Sequence, residues 1–191
     1  ACVVAHEFGH VFAARNFGVA TPDVTLLPIG GLARLERISE EPREEFIIAI
    51  AGPLVNVAIA IVLVLFFGAH LDFASFTAVD SKVSLVDRLA MVNVFLVLFN
   101  LIPAFPMDGG RVLRAFLAAK MGYTRATEVA ATIGQGFAFA LGFIGLFSNF
   151  LLIFIAIFVY LAATSEAQFI AVRSMVYWMH EAMVFGLVKN P

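Results

Sequence analysis

Apolar residues in this chain run in long, nearly unbroken stretches separated by short charged segments, and do not recur at one-sided helical spacing. Runs of that kind predict helices that are apolar all round, as membrane spans are. Five can be drawn: Ala1 to about Phe17, Phe46 to Phe67, about Leu89 to Ile102, about Val129 to Phe147, and about Phe150 to Ala163. A full crossing takes about 20 residues, so the first run reads as a span cut short at its outer end. Ser148-Asn149 is a tight turn between the last two runs and predicts an antiparallel pair. Between the first two runs, Val24 to Leu35 mixes β-branched and aliphatic residues around Pro28 and Gly30-Gly31. That pattern predicts a short β-hairpin, too brief to span. Backbone of this kind survives at membrane depth only when buried in protein or beside a watery cavity. The expected fold class is an all-α polytopic membrane protein with about five transmembrane segments and this hairpin.

Composition supports the same class. Of 191 residues, 62% are hydrophobic and 14% charged, with 21 phenylalanines. A water-soluble domain sits nearer about 45–50% apolar and about 25% charged, so the lipid bilayer is the expected solvent. A net charge of −2 without a long basic run gives no footprint for nucleic acid. The single cysteine, Cys2, excludes an intramolecular disulfide. It precedes His6 by one helical turn, and packing is its expected role. The chain opens on Ala1, and the expectation is that further sequence precedes it. Charge sets an orientation. Ten of the 12 Lys and Arg residues fall on one side of the predicted spans: Arg15, Arg34, Arg37, Arg43, Arg111, Arg114, Lys120, Arg125, Arg173 and Lys189. Only Lys82 and Arg88 fall on the other. The positive-inside rule makes the first side cytoplasmic. A membrane is the expected location, with the first side facing the cytoplasm.

The chemistry is concentrated in His6-Glu7-Phe8-Gly9-His10, inside the first apolar run. Residues four apart lie one turn up on nearly the same helix face, so both imidazoles can reach one Zn²⁺, while Glu7 faces the water that is to attack. Ionisable groups at membrane depth are costly and mark functional sites. His10 lies about a turn and a half before Arg15, which puts the pair near the cytoplasmic boundary. The bland alternative, two histidines bonded to nearby backbone, explains neither the spacing nor Glu7.

A zinc hydrolase site generally takes a third protein ligand and keeps one position open. The best candidate is Asp108, in Asn100-Leu101-Ile102-Pro103-Ala104-Phe105-Pro106-Met107-Asp108-Gly109-Gly110-Arg111. Two prolines prevent a regular helix there, and two glycines allow the backbone to turn and to approach a neighbour closely. The alternative makes Asp108 a helix N-cap. Glu128, Glu166 and Glu181 are weaker ligand candidates at span edges or in the tail. Asn100 could donate a hydrogen bond to a ligand carboxylate or to a developing oxyanion. Gly52-Pro53 reads as a structural kink, and Asn56 as either an interhelical hydrogen bond or a support for the site. His70 and His180 read as solvated, and Gln135 as bonded to a neighbouring helix. A β edge near the site, at Ile29, Gly30 and Gly31, could hold an unwound peptide by strand addition; the alternative is an ordinary interfacial loop.

Together, His6 to His10, Gly52-Pro53-Leu54-Val55-Asn56 and the Asn100 to Gly110 stretch resemble the site-2 protease family of intramembrane zinc metalloproteases. The resemblance covers nearly the whole chain in order and spacing. It is strongest to the compact prokaryotic branch without a PDZ insertion, which includes the sporulation protease of the stage IV FB type. It implies one Zn²⁺ per chain held by His6, His10 and Asp108, Glu7 as general base and acid, and Asn100 as a polar group near the site. It also implies that the hairpin is a re-entrant membrane element, and that the substrates are transmembrane proteins. Residues 1–170 are then the protease core. Residues 171–191 form a cytoplasmic tail, a lead-in to a regulatory CBS domain or a contact for a regulatory protein. Two rivals remain: a divalent-metal transporter, against which the lack of polar residues marking an outer exit counts, and a non-catalytic membrane scaffold, against which the intact Glu7 counts.

Overall fold

The computed structural model of the protein describes residues 1–19, 23–27, 30–34, 41–72 and 84–184, the strands and residues 181 and 184 by their backbone alone. Among the described residues there are six helices: α1 (Cys2–Asn16), α2 (Pro42–Phe67), α3 (Leu85–Asn100), α4 (Asp108–Met121), α5 (Tyr123–Phe147) and α6 (Phe150–Val184). Between α1 and α2 lie two five-residue strands, β1 (Asp23–Leu27) and β2 (Gly30–Arg34), paired antiparallel with Leu27 opposite Gly30 and Asp23 opposite Arg34.

Local sequence explains the ends. Pro42 occupies the first turn of α2, where its missing N–H costs nothing. Gly68 ends α2 at φ 66°, a left-handed conformation that favours glycine. The Ser84 hydroxyl caps α3 by accepting from the Val86 N–H, and the Asn149 side chain accepts from Leu151 N–H at the start of α6. Pro103, three residues past the end of α3, cannot continue a helix.

Among the described residues, three helices are long and apolar enough to cross a membrane: Pro42–Phe67, Tyr123–Phe147 and Phe150–His180. This corrects the expectation of about five spans. The first and third apolar runs fold as α1 and α3, of 15 and 16 residues. At about 1.5 Å per residue α3 reaches roughly 24 Å, short of the about 30 Å hydrocarbon layer. Hydropathy registers how apolar a run is, but not where its helix stops. The hairpin needs correcting as well. The two strands are each about 17 Å long, β2 lies beside α1 within an otherwise helical fold, and the structure does not support a re-entrant membrane element there. Ile29 lies outside the described residues.

The last two long helices, α5 and α6, pack against each other along their length across the Ser148-Asn149 connection. α6 continues as one helix through residues 171–184, part of the segment expected to be a tail. α2 is the central helix, in contact with α1, α3 and α4, and α4 in turn leads to α5.

The interior is built from small residues. Ala14, Ala49, Ala90, Ala104, Ala126, Ala130 and Ala163 are fully buried, whereas Phe66, Phe139, Phe147 and Phe150 are exposed. Only 33%, 28% and 17% of the three long apolar windows is buried, so their large side chains face outward over areas that water would not tolerate. Small residues inside and large ones outside is the pattern of helices that associate in lipid by close backbone approach. Backbones meet closely at Gly9, where an added Cβ would lie 2.8 Å from the Ala51 carbonyl oxygen.

One buried ion cluster joins four helices. Arg114 on α4 donates to the Glu45 carboxylate on α2 through both Nε and Nη2, and through Nη1 to Glu166 on α6. Its guanidinium also lies over the rings of Phe105 and of Tyr123 on α5. Arg114 and Glu45 are each 1% exposed, so this contact is no surface pair.

Candidate metal centre

Three elements meet at the site. α1 supplies His6 and His10 from one face, α2 runs beneath them, and the first turn of α4 supplies Asp108. All three side chains are buried. The Nε2 atoms of His6 and His10 are 3.1 Å apart, and Asp108 Oδ2 is 3.0 Å from the first and 3.2 Å from the second. These residues form the His-His-Asp group able to hold a metal ion among the described residues. Asp108 is not a side-chain N-cap: α4 begins at Asp108 itself, after Met107, with no side-chain capping bond.

The stretch before α4 explains how Asp108 is placed. A Cβ on Gly109 would lie 2.3 Å from the Ile102 carbonyl oxygen, and one on Gly110 would lie 2.7 Å from Phe105 N. The Pro-rich connection therefore folds back directly onto the first turn of α4. Neither glycine has a positive φ, so both serve close approach and not turning.

The outer ring nitrogens orient the two imidazoles. His6 Nδ1 is 2.6 Å from Asn56 Oδ1, and His10 Nδ1 is 2.7 Å from the Ile48 carbonyl oxygen. Both partners are acceptors, so both Nδ1 atoms carry a proton and donate. Imidazoles so held turn their Nε2 atoms toward each other and toward Asp108, and in the neutral form these atoms present lone pairs. Two lone pairs and a carboxylate facing one another fit a cation. Two donors on a tetrahedral Zn²⁺ at about 2.0–2.1 Å stand about 3.3 Å apart, close to the separations found here. The set suits zinc.

Glu7, next to His6, is half-buried, and its carboxylate interacts electrostatically with His10, His6 and Asp108. Asn100 closes α3 and is half-buried; it is not among the side chains bonded to the histidines or to Asp108. Cys2 accepts from Asn93 Nδ2 at 3.2 Å and is not part of the metal cluster. Glu166 belongs to the Arg114 cluster, and Glu128 is exposed; neither joins the three ligand candidates. His70 and His180 are exposed, and Gln135 Nε2 donates to Thr164 on α6 at 3.0 Å.

Gly52 has a role that sequence reading assigned only to structure. A Cβ there would stand 2.3 Å from His10 Nε2 and 2.8 Å from His6 Nε2. The backbone of α2 is thus the floor of the metal site. Asn93 was also missed. It is fully buried on α3 and accepts from Asn56 Nδ2 at 2.7 Å. An amide within an apolar run was the available signal, since buried polar groups in such helices are nearly always partnered.

Known proteins resemble this chain. The family profile of peptidase family M50 matches residues 1–88 and 75–142. A zinc metalloprotease of Methanocaldococcus jannaschii is 42% identical over 177 residues, covering 91% of this chain and 49% of that protein. Stage IV sporulation protein FB of Bacillus subtilis is 29% identical over 144 residues, covering 73% of this chain and 46% of its own length. The chain thus spans about half the length of these relatives. The solved structure of the site-2 protease from Methanocaldococcus jannaschii superposes with a TM-score of 0.66 at 42% identity, over 87% of this chain and 74% of that one. With a profile match across most of its length and a relative this similar, the chain belongs to peptidase family M50, the site-2 proteases.

Proposed function

We propose that this chain is the catalytic core of an intramembrane zinc metallopeptidase that hydrolyses peptide bonds in or near transmembrane segments of membrane proteins. The observation that carries this reading is the meeting of His6 Nε2, His10 Nε2 and Asp108 Oδ2 within 3.2 Å of one another, with Glu7 alongside, among helices whose outer surfaces are apolar. His6, His10 and Asp108 would hold one Zn²⁺. The chemistry that zinc supplies when bound is acidification of water and polarisation of a carbonyl. Glu7, one residue round the helix from His6, takes the proton of the attacking water and later passes it to the leaving amine. The two Nδ1 hydrogen bonds hold the imidazoles in the ligating orientation. Asn100, at the end of α3, is the proposed donor to the developing oxyanion.

An extended substrate is the form that offers a scissile carbonyl, so a transmembrane helix must unwind locally before cleavage. Gly30 and Gly31 of β2, with the neighbouring Ile29, are proposed to bind that extended segment by strand addition beside α1. The distribution of Lys and Arg supports a site near the cytoplasmic face of a prokaryotic cell membrane, with water entering from that side. Residues 1–170 act as the protease core, and the segment from 171 onward leads to a regulatory domain or partner.

The test is cleavage of a transmembrane substrate by the protein and by Glu7→Gln, with zinc measured in both. The variant should retain about one zinc per chain and lose about 10²–10⁴-fold in rate, the usual weight of a general base. Cleavage by Glu7→Gln at the parent rate would refute the assignment.

A further inference from the structure

His10 and His6 hold their tautomers by different means. The acceptor for His10 Nδ1 is the backbone carbonyl of Ile48, which can only accept. The acceptor for His6 Nδ1 is the side chain of Asn56. A primary amide has an oxygen at one corner and an NH₂ at the other, and rotating it by half a turn exchanges them. With its NH₂ toward His6, Asn56 would force the ring proton onto Nε2, the atom that faces His10 and Asp108. A protonated Nε2 cannot ligate a metal.

The next residue in the chain of bonds decides which way Asn56 points. Asn93 Nδ2 donates to the Leu89 carbonyl at 2.8 Å, one turn back on α3, and to Cys2 Sγ at 3.2 Å. The carbonyl only accepts, so the Asn93 NH₂ must face it, and its Oδ1 must face Asn56. Asn93 Oδ1 then accepts from Asn56 Nδ2 at 2.7 Å, and Asn56 Oδ1 is left to accept from His6 Nδ1 at 2.6 Å. Asn56 and Asn93 are both fully buried, so bulk water does not compete for either amide.

We infer that Asn93 is a positioning residue for zinc binding: it touches no ligand, and through Asn56 it selects the His6 tautomer that leaves Nε2 free. This rests on reading His6, His10 and Asp108 as zinc ligands. Deleting the Asn93 amide leaves Asn56 without a reason to prefer either orientation. An aspartate at position 56 has acceptors at both corners, so it needs no instruction from its neighbour.

The experiment is chelator competition for zinc on purified protein, comparing wild type, Asn93→Leu and Asn93→Leu/Asn56→Asp. Asn93→Leu should weaken zinc by about 10–100-fold, as loss of a bond supporting a ligand does. The double variant should return to within about threefold of wild type, less than 1 kcal/mol. A purely structural role for Asn93 would not be relieved by a second buried substitution. Affinity of Asn93→Leu within about threefold of wild type, or no recovery in the double variant, overturns the inference. Wild type that fails to bind zinc overturns the ligand assignment itself, and the inference with it.

Discussion

Gly52→Ala adds one methyl group to a helix that otherwise accepts alanine readily, yet it should disable the metal centre. The new Cβ would stand 2.3 Å from His10 Nε2, 2.6 Å from His10 Cε1 and 2.8 Å from His6 Nε2. Ordinary contact is about 3.5 Å, so His10 must retreat by about 1 Å. The ring cannot tilt away freely, because its Nδ1 is tied to Ile48 O at 2.7 Å. Its helix can lift only by opening the crossing at Gly9, which is packed on the Ala51 carbonyl. Zinc–ligand distances tolerate about ±0.2 Å, so a shift of that size removes His10 as a ligand. The loss should exceed the about 10–100-fold that follows from losing a supporting hydrogen bond, while overpacking costs about 1–3 kcal/mol of stability. Chelator competition in detergent measures the first quantity and thermal unfolding the second. Gly136→Ala is the control, since a Cβ there meets nothing within 4 Å. Zinc affinity in Gly52→Ala equal to that in Gly136→Ala would refute the reasoning.

Asp108→Ala should lower both zinc content and cleavage, and Asp108→Asn should keep the fold while weakening zinc, because one of three protein ligands is lost from a dry site; unchanged metal content in both would place the third ligand elsewhere. Arg114→Met strands the buried Glu45 carboxylate and should cost about 3–5 kcal/mol of stability, whereas Arg114→Met/Glu45→Leu should recover much of it; equal unfolding temperatures for the two variants would contradict this. Cysteines placed at Ser39 and Ser81 in a Cys2→Ser background, probed in intact cells with an impermeant thiol reagent, should label at 81 and not at 39; the reverse would invert the orientation.

The sequence made His6, His10 and Asp108 stand out because each chemical need left a local trace: a four-residue repeat on one helix face, and an acid framed by prolines and glycines. Gly52 left no comparable trace. Its importance lies in what it faces, two imidazoles more than 40 residues away in the chain, and a glycine before a proline looks the same in any kinked helix. Asn93 and Arg114 were legible as residues but not in their roles. Arg114 counted as one more cytoplasmic charge, yet it is buried among Glu45, Phe105 and Tyr123. The number of spans was overread at α3, whose apolar run carries on past Asn100, where the helix ends, to Ile102.

The division between a small-residue interior and a large-residue exterior has a practical consequence for anyone wishing to work with this protein in water. Helix positions here are dictated by how closely backbones can meet, and the phenylalanines and leucines that face lipid take no part in that fit. Repainting Leu65, Phe66, Phe139, Phe147, Phe150 and their exposed neighbours with glutamine, glutamate and lysine would change the solvent the surface prefers, while leaving the alanine and glycine seams untouched. The same division says where such redesign must stop. Swapping a buried alanine for valine adds only two methyl groups, but it pushes apart the helices whose spacing holds the two histidines over Gly52.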